Sequence, residues 1–180
     1  MFVSVFGGSQ PVEGDPAYAQ AYALGYGLAR QGHTVLTGGY IGTMEAVSRG
    51  AAEAGGHVIG VTCAEIERWR PVGPNRWVKE EWRCETLIER LQRIIRASQA
   101  WIALPGGPGT LTEIALTWNL MIIGSIPTRP LILIGDGWRR LFEQMFNDLG
   151  TYTPLSQRSL LRFAADEQAA LEILAHEIPS

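Results

Sequence analysis

Residues 105–113, Pro-Gly-Gly-Pro-Gly-Thr-Leu-Thr-Glu, combine residue types that could bind and transform a phosphorylated ligand. They follow an apolar run at 101–104, which lacks the polar alternation of a half-exposed strand and so is typical of a strand buried on both faces. Helical spacing of apolar residues begins at Thr110 and continues to about 123. A bare glycine turn between a strand and a helix start leaves backbone N–H groups free at the positive end of the helix dipole. This arrangement predicts a site for an anion, most often a phosphate.

The glutamate that ends this stretch has two interpretations. The turn has neither the lysine of a P-loop nor the G-x-G-x-x-G spacing of dinucleotide-binding proteins. A carboxylate at Glu113 would repel a phosphate placed directly on it. Thr110 and Glu113 could form a capping box, in which both side chains occupy free helix N–H groups. Alternatively, Glu113 is a catalytic carboxylate beside a bound phosphoester. Spacing alone favours the capping box.

Three glycine turns follow predicted strands, and we expect them to lie at one edge of a sheet. The residues in them with a predicted role in binding substrate or phosphate are Gly8 and Ser9, then Gly38, Gly39 and Gly42, and finally Gly106, Gly107, Gly109 and Thr110. The carboxyl ends of parallel strands share an edge, and ligands of open α/β sheets bind there, where strand order reverses. Three turns at that edge are more specific evidence than one turn, since any tight turn favours glycine.

An arginine could reach the same edge. Apolar spacing predicts a helix over 85–97 whose buried stripe comprises Leu87, Leu91, Ile94 and Ile95. This helix should run antiparallel to the strand before the glycine turn, so that Arg90 could reach the space above the turn. Arg93 would lie one turn further away. The alternative, two solvated surface arginines, stays open for Arg90 and is favoured for Arg93.

The elements that must position these residues alternate along the chain. Predicted strands cover 2–6, 33–37, 57–61, 100–104, 130–135 and 161–164, with a further short strand at 78–82. Predicted helices cover 17–30, 43–54, 85–97, 110–123, 138–149 and 166–176. This repetition of strand, glycine turn and helix indicates an α/β fold with a parallel sheet and right-handed crossovers. We expect one domain over residues 1–180.

Residues 63–82 break this rhythm. They contain two prolines, a glycine and three tryptophans, Trp69, Trp77 and Trp82. The segment could be a functional loop or part of a dimer contact, because exposed tryptophan is enriched at interfaces. Half-buried core tryptophans are the more conservative interpretation.

Composition excludes several classes of function. The net charge of −3, without a basic tail or stripe, disfavours nucleic acid as a main partner. No apolar run has the length of a membrane span, and the first residues lack the pattern of a signal peptide. Cys63 and Cys84 fit neither a metal pattern nor a disulfide framework, which indicates reduced thiols in a cytoplasmic protein. The three histidines are scattered, so no metal site is expected.

The single lysine, Lys79, bears on one enzyme class. A pyridoxal-phosphate enzyme requires a lysine for its Schiff base. Lys79 lies in a charged segment far in sequence from every glycine turn. The sequence therefore disfavours a pyridoxal-phosphate enzyme, and no cofactor is expected.

The stretch 105–113 resembles the P-G-G-x-G-T-x-x-E signature of the LOG ("lonely guy") family, whose members were formerly labelled possible lysine decarboxylases. Residues 5–9 and 37–44 resemble the first and second loops of that family, and Thr117-Trp118 resembles its T-W pair. The resemblance implies a Rossmann-like, doubly wound fold and a homodimer or higher homo-oligomer. It also implies hydrolysis of the N-glycosidic bond of a nucleoside 5′-monophosphate. Arg90 and Glu113 would be the catalytic pair, and Thr117 would contribute to the substrate site.

The resemblance leaves the base and the chemistry open at two points. The family's arginine usually stands in a run like M-H-E-R-K, whereas here Ile88 and Leu91 occupy the positions of its His and Lys. Glu45 stands in the second loop where plant members often have glycine. AMP is thus as good a candidate substrate as a cytokinin nucleotide. The alternative function is a nucleotide or pterin-type carrier of the same superfamily, which binds a phosphorylated ligand without chemistry.

Overall fold

A seven-stranded sheet organises the chain. The computed structural model describes residues 1–177. Its strands are β1 Phe2–Phe6, β2 Thr34–Thr37, β3 Val58–Cys63, β4 Glu80–Cys84, β5 Ala100–Ala103, β6 Leu131–Ile134 and β7 Leu161–Ala164. The order across the sheet is β4-β3-β2-β1-β5-β6-β7, and every neighbouring pair is parallel. The chain winds from β1 to one edge, returns to the centre and winds to the other edge. The predicted doubly wound α/β fold is confirmed, and strand order reverses between β1 and β5.

Helices cover both faces of the sheet. They are α1 Pro16–Arg30, α2 Thr43–Glu53, α3 Ala64–Trp69, α4 Leu87–Ala97, α5 Pro108–Ile122, α6 Asp136–Asp148, α7 Leu155–Arg158 and α8 Glu167–Glu177, with a 3₁₀ turn at Gly150–Tyr152. Among residues 1–177, no helix has both the length and the apolarity needed to cross a membrane.

The two faces of the sheet enclose separate apolar cores. Val3 and Val5 point into one core, which is completed by side chains of α1, α2 and α8. Phe6 points into the other, which is completed by α4, α5 and α6. Along β5, Ile102 joins the first core and Trp101 joins the second, because successive side chains of a strand point to opposite faces. All of β5 is buried, as the unbroken apolar run predicts.

The structure corrects the start of the helix that carries Arg90. The short strand predicted at 78–82 lies two residues later, at β4 Glu80–Cys84, so α4 begins at Leu87 rather than at residue 85. Thr86 is its N-cap and accepts a hydrogen bond from the N–H of Glu89 at 3.2 Å. Leu87 is exposed, not buried as predicted, because it stands in the first turn beyond the cover of the sheet. Leu91, Ile94 and Ile95 are buried as predicted.

Candidate active site at the point of strand reversal

A cleft of about 490 Å³ opens at the carboxyl edge of the sheet. Its walls come from the turns after β1, β2 and β5 and from α3. The predicted site residues that line it are Gly8, Ser9, Arg90, Gly107, Gly109, Thr110 and Glu113. The expectation that glycine turns and an arginine converge on one edge thus agrees with the geometry.

Arg90 and Glu113 face each other in this cleft, although they come from different helices. The closest distance, from Arg90 Nη1 to Glu113 Oε1, is 3.6 Å. Both residues are more than 90% buried. Arg90 Nε donates to the Val61 carbonyl at 2.7 Å, which fixes the guanidinium above the end of β3, and the Tyr40 ring lies 5.9 Å from its Cζ. The surface interpretation is therefore wrong for Arg90. It is correct for Arg93, which is exposed and packs over Trp82.

The surroundings of Glu113 change the acidity of its carboxyl group. Burial raises the pKa of Glu113 to about 7, and the positive charge of Arg90 opposes this rise. The carboxylate accepts no hydrogen bond from residues 1–177, although it lines the cleft. A buried acid without a hydrogen-bonding partner is free to act on a ligand and has a pKa suited to proton transfer near neutral pH.

The capping-box interpretation of Thr110 and Glu113 is wrong. Helix α5 begins at Pro108, two residues before Thr110, and its N-cap is Gly107, which makes no side-chain capping bond. Proline suits the first helical position because its φ is already helical and no N–H is needed there. Glu113 consequently stands in the second turn, where its side chain can turn toward Arg90 instead of the helix end.

This helix start leaves donors free for a ligand. The first amide of α5 to bond within the helix is Leu111, whose N–H donates to the Gly107 carbonyl at 3.0 Å. The N–H groups of Gly109 and Thr110 precede it and point to the end of the helix, where they are available to an acceptor. With the helix dipole they form the positive end at which an anion is stabilised.

The predicted glycines divide into two groups by what a Cβ would meet. At Gly107 and Gly109 a Cβ would meet nothing within 4 Å, so the fold itself does not require glycine there. At Gly38 it would lie 2.0 Å from Arg90 Nη2. At Gly42, where φ is +75°, it would lie 2.5 Å from the Ser9 Cα. Gly38 and Gly42 thus let Arg90 and the first turn approach, whereas Gly107 and Gly109 border open space in the cleft.

The remaining predicted residues support the walls without lining the cleft. Gly39, with φ of +79°, donates its N–H to Thr37 Oγ1 at 3.1 Å. A Cβ on Gly106 would lie 2.2 Å from Thr110 Oγ1. Thr117 is fully buried behind Glu113, and its hydroxyl donates to the Glu113 carbonyl at 2.7 Å. The structure therefore makes Thr117 a support of the helix turn that carries Glu113, because a residue four positions along a helix lies on the same buried face.

The profile of the SLOG cluster4 family matches residues 1–124. The chain belongs to the SLOG cluster4 family. The resemblance to the LOG family that the glycine-rich motif suggested is confirmed, because proteins named as LOG phosphoribohydrolases are similar to the chain as well. In this SLOG cluster4 protein, the matched range contains the whole Arg90–Glu113 pair and all three glycine turns.

Two of the similar proteins come from Oryza sativa subsp. japonica, and each is named a probable cytokinin riboside 5′-monophosphate phosphoribohydrolase. One is 32% identical over 98% of the chain and 78% of its own length. The other is 38% identical over 69% of the chain and 51% of its own length, so the chain spans about half of that relative. A cytokinin riboside 5′-monophosphate phosphoribohydrolase from Rhodococcoides fascians is 29% identical over 74% of the chain.

Solved structures with the same architecture include a molybdenum cofactor binding protein from Rippkaea orientalis. It matches with a TM-score of 0.76 at 25% identity, covering 97% of this chain and 95% of that chain. The molybdenum cofactor carrier protein from Chlamydomonas reinhardtii matches with a TM-score of 0.74 at 25% identity, covering 99% and 98%. These likenesses agree with the parallel, doubly wound sheet described above.

Sequence reasoning on this SLOG cluster4 protein missed the wall formed by α3. Ile66, Trp69 and Arg70 line the cleft, and Trp69 is 79% exposed, unlike the core tryptophan expected from composition. Tyr40 ties this wall to the second glycine turn, because its hydroxyl accepts a hydrogen bond from the Cys63 N–H at 2.7 Å. Burial raises the pKa of Tyr40 to about 12, so the phenol stays protonated. The break in rhythm at 63–82 was the available signal, but a helix of six residues without a buried position has no periodicity to detect.

No group of three or more His, Cys, Asp and Glu side chains within residues 1–177 is arranged to hold a metal ion. Cys63 and Cys84 are both buried and free. Lys79 donates to the Gly56 carbonyl at 2.9 Å and does not line the cleft.

Proposed function

We propose that the protein hydrolyses the N-glycosidic bond of a nucleoside 5′-monophosphate, releasing the free base and ribose 5-phosphate. The observation that carries this proposal is the buried Arg90–Glu113 pair beside the free N–H groups of α5. The relatives named as cytokinin riboside 5′-monophosphate phosphoribohydrolases support it. AMP and cytokinin riboside monophosphate-like nucleotides are the candidate substrates.

The reaction assigns a distinct role to each part of the cleft. The N–H groups of Gly109 and Thr110 bind the 5′-phosphate, which places the ribose over Glu113. As the C1′–N bond breaks, positive charge develops on the ribose, and the base leaves with the bonding electron pair. The Glu113 carboxylate stabilises that charge and accepts a proton from the water whose oxygen bonds to C1′. The departing base nitrogen takes up a proton. Arg90 favours the ionised form of Glu113 and orients the ribose or its phosphate.

The experiment that tests the proposal is a chromatographic screen of nucleoside 5′-monophosphates, including AMP and an N6-modified AMP. We expect free base and ribose 5-phosphate to form in equal amounts from at least one of them. Binding of a nucleotide without release of base from any member of the panel would overturn the proposal.

The carrier interpretation is the second candidate, and the two molybdenum cofactor proteins of similar structure are the observation that favours it. It predicts retention of a phosphorylated ligand without product in the same screen. It has weaker support, because the relative that matches 98% of the chain at 32% identity is named a hydrolase. A carrier also has no evident need for a buried carboxyl group with a pKa of about 7.

A pyridoxal-phosphate decarboxylase has no support, since Lys79 is remote from the cleft.

Replacement of Gly109 by alanine tests the phosphate position. We expect the affinity for ribose 5-phosphate to fall about 10-fold or more, because a methyl group would keep the phosphate from the free N–H groups and remove a charge-assisted hydrogen bond. The free energy of unfolding should stay equal or rise by up to about 1 kcal/mol, since alanine is the better helix former. Calorimetric titration and urea unfolding measure the two effects.

The matched control for this substitution is Gly73→Ala. A Cβ at Gly73 would also meet nothing within 4 Å, but Gly73 does not line the cleft. Equal affinities of the Gly109→Ala and Gly73→Ala variants for ribose 5-phosphate would exclude a phosphate at the start of α5.

We further propose that the protein is a cytoplasmic homodimer or higher homo-oligomer, as the family resemblance implies. Exposed apolar side chains on neighbouring helices support an oligomer: Leu87 and Ile88 on α4 and Leu111 on α5. Light scattering in solution would determine the number of subunits.

A further inference from the structure

We propose that Arg70 binds the 5′-phosphate of the substrate, and that it thereby makes the cleft select phosphorylated nucleosides over free ones. The inference rests on the proposed function in one respect, namely that the ligand of the cleft carries a phosphate. Arg70 follows α3 directly and belongs to no motif that the family resemblance uses.

A phosphate bound in this cleft would need a positive charge that no carboxylate already neutralises. Its charged lining residues are Arg70, Arg90 and Glu113. Arg90 faces Glu113 at 3.6 Å, so much of its charge is already compensated. A phosphate monoester carries a charge of about −1.5 to −2 near pH 7. Within residues 1–177, Arg70 makes no ion pair with a carboxylate, which leaves its whole charge for a ligand.

The position of Arg70 suits a phosphate contact. Its Nη1 donates to the Ser9 hydroxyl at 3.2 Å, so the guanidinium spans from the α3 wall to the first glycine turn. The Trp69 ring lies 5.7 Å from its Cζ and limits the directions in which the side chain can turn. Ser9 is a neutral partner that orients the guanidinium without neutralising it. An arginine held in this way can present two parallel N–H groups to phosphate oxygens.

The hydrogen bonding of the guanidinium is incomplete. Its Nε is buried and has no acceptor among residues 1–177. An unsatisfied buried donor costs free energy, so a small shift of the side chain toward an anion would be favoured. The combination of an uncompensated charge, a spare donor and a fixed orientation distinguishes Arg70 from the solvated arginines of the surface.

A purely structural role for Arg70, holding the first glycine turn through Ser9, predicts a different outcome. Loss of that role would weaken the binding of every ligand of the cleft. Loss of a phosphate contact would weaken only phosphorylated ligands. Ribose 5-phosphate and adenosine are suitable probes, because the proposed reaction consumes neither of them.

The experiment compares the affinities of ribose 5-phosphate and adenosine for the wild type, Arg70→Gln and Arg70→Lys by calorimetry. We expect Arg70→Gln to weaken ribose 5-phosphate binding about 10- to 100-fold, the scale for hydrogen bonds to a charged group, with adenosine binding unchanged. Arg70→Lys should recover part of the loss, because it keeps the charge but not the fork of N–H groups.

Arg76→Gln is the matched control. Arg76 is exposed in the same segment and packs over its neighbour Trp77 at 4.8 Å, as Arg70 does over Trp69, but it does not line the cleft. It should bind both probes like the wild type. Unchanged ribose 5-phosphate affinity in Arg70→Gln, or an equal loss for adenosine, would overturn the proposal. Failure of the wild type to release base from any nucleotide would overturn the hydrolysis instead, since these titrations measure binding alone.

Discussion

Replacing Glu113 by glutamine should lower kcat for the hydrolysis of AMP, or of the nucleotide found in the screen, by at least about 100-fold, the scale for losing one electrostatic partner of the transition state. Glutamine keeps the size and hydrogen-bonding capacity of the side chain but cannot carry a negative charge. It can neither stabilise the cationic ribose nor accept a proton from water. The affinity for ribose 5-phosphate should change little, because the proposed position of the phosphate is the start of α5. Steady-state kinetics and calorimetric titration separate the two effects.

Glu45→Gln provides the comparison for this loss. Glu45 stands in the first turn of α2, follows the second glycine turn, and does not line the cleft. Its removal should leave kcat within a factor of about two, as for other substitutions away from a site. A Glu113→Gln variant as active as Glu45→Gln would reduce Glu113 to a structural residue.

Replacing Arg90 by methionine should lower kcat/KM at pH 7 by at least about 100-fold and also change its dependence on pH. In the wild type, activity should rise with pH through about 7, since burial sets the pKa of Glu113 there and the ionised form is the active one. Arg90 lowers this pKa, so its removal should move the midpoint to higher pH. Part of the lost activity should then return in alkaline buffer. Rate measurements between pH 5 and pH 10 record both changes.

The control for Arg90 is one turn away on the same helix. Arg93→Met removes an exposed arginine that packs over Trp82 and should leave the pH midpoint unchanged. Breaking a buried ion pair can cost about 3–5 kcal/mol of stability, so circular dichroism must first show that the Arg90→Met variant is folded. Arg90→Lys, which keeps the charge, covers the case in which it is not. A pH midpoint that stays at its wild-type value in a folded Arg90 variant would contradict the coupling of Arg90 to Glu113.

The sequence was sufficient to predict the parallel sheet and the edge of it at which the candidate site lies. Unbroken apolar runs indicated buried strands, and glycines marked the ends of helices, so few other arrangements of elements fitted the sequence. Hydrophobic periodicity can be seen in the sequence without any knowledge of tertiary contacts. Topology showed that Arg90 could reach the glycine turns, because a helix before a central strand must end near the start of that strand, but it left a solvated surface arginine as an open alternative.

The choice between the two interpretations of Glu113 could not be made from spacing. Thr86 and Glu89 have the same T-x-x-E spacing as Thr110 and Glu113, yet only Thr86 caps a helix. Pro108 decides the difference, because it starts α5 early and places Glu113 in the second turn. The proposed role of Arg70 could not be predicted either, since it depends on a contact with a hydroxyl 61 positions earlier in the chain.

The difference between crowded and open glycines has a consequence for how related proteins diverge in sequence. Gly38 and Gly42 are fixed by crowding within the protein, whereas Gly107 and Gly109 border open space. An added Cβ at the second pair would meet no protein atom within 4 Å, so folding places little constraint on glycine there and ligand binding would be the main reason to keep it. A relative that keeps the crowded glycines but has lost the open ones should therefore fold well but no longer bind a phosphorylated ligand.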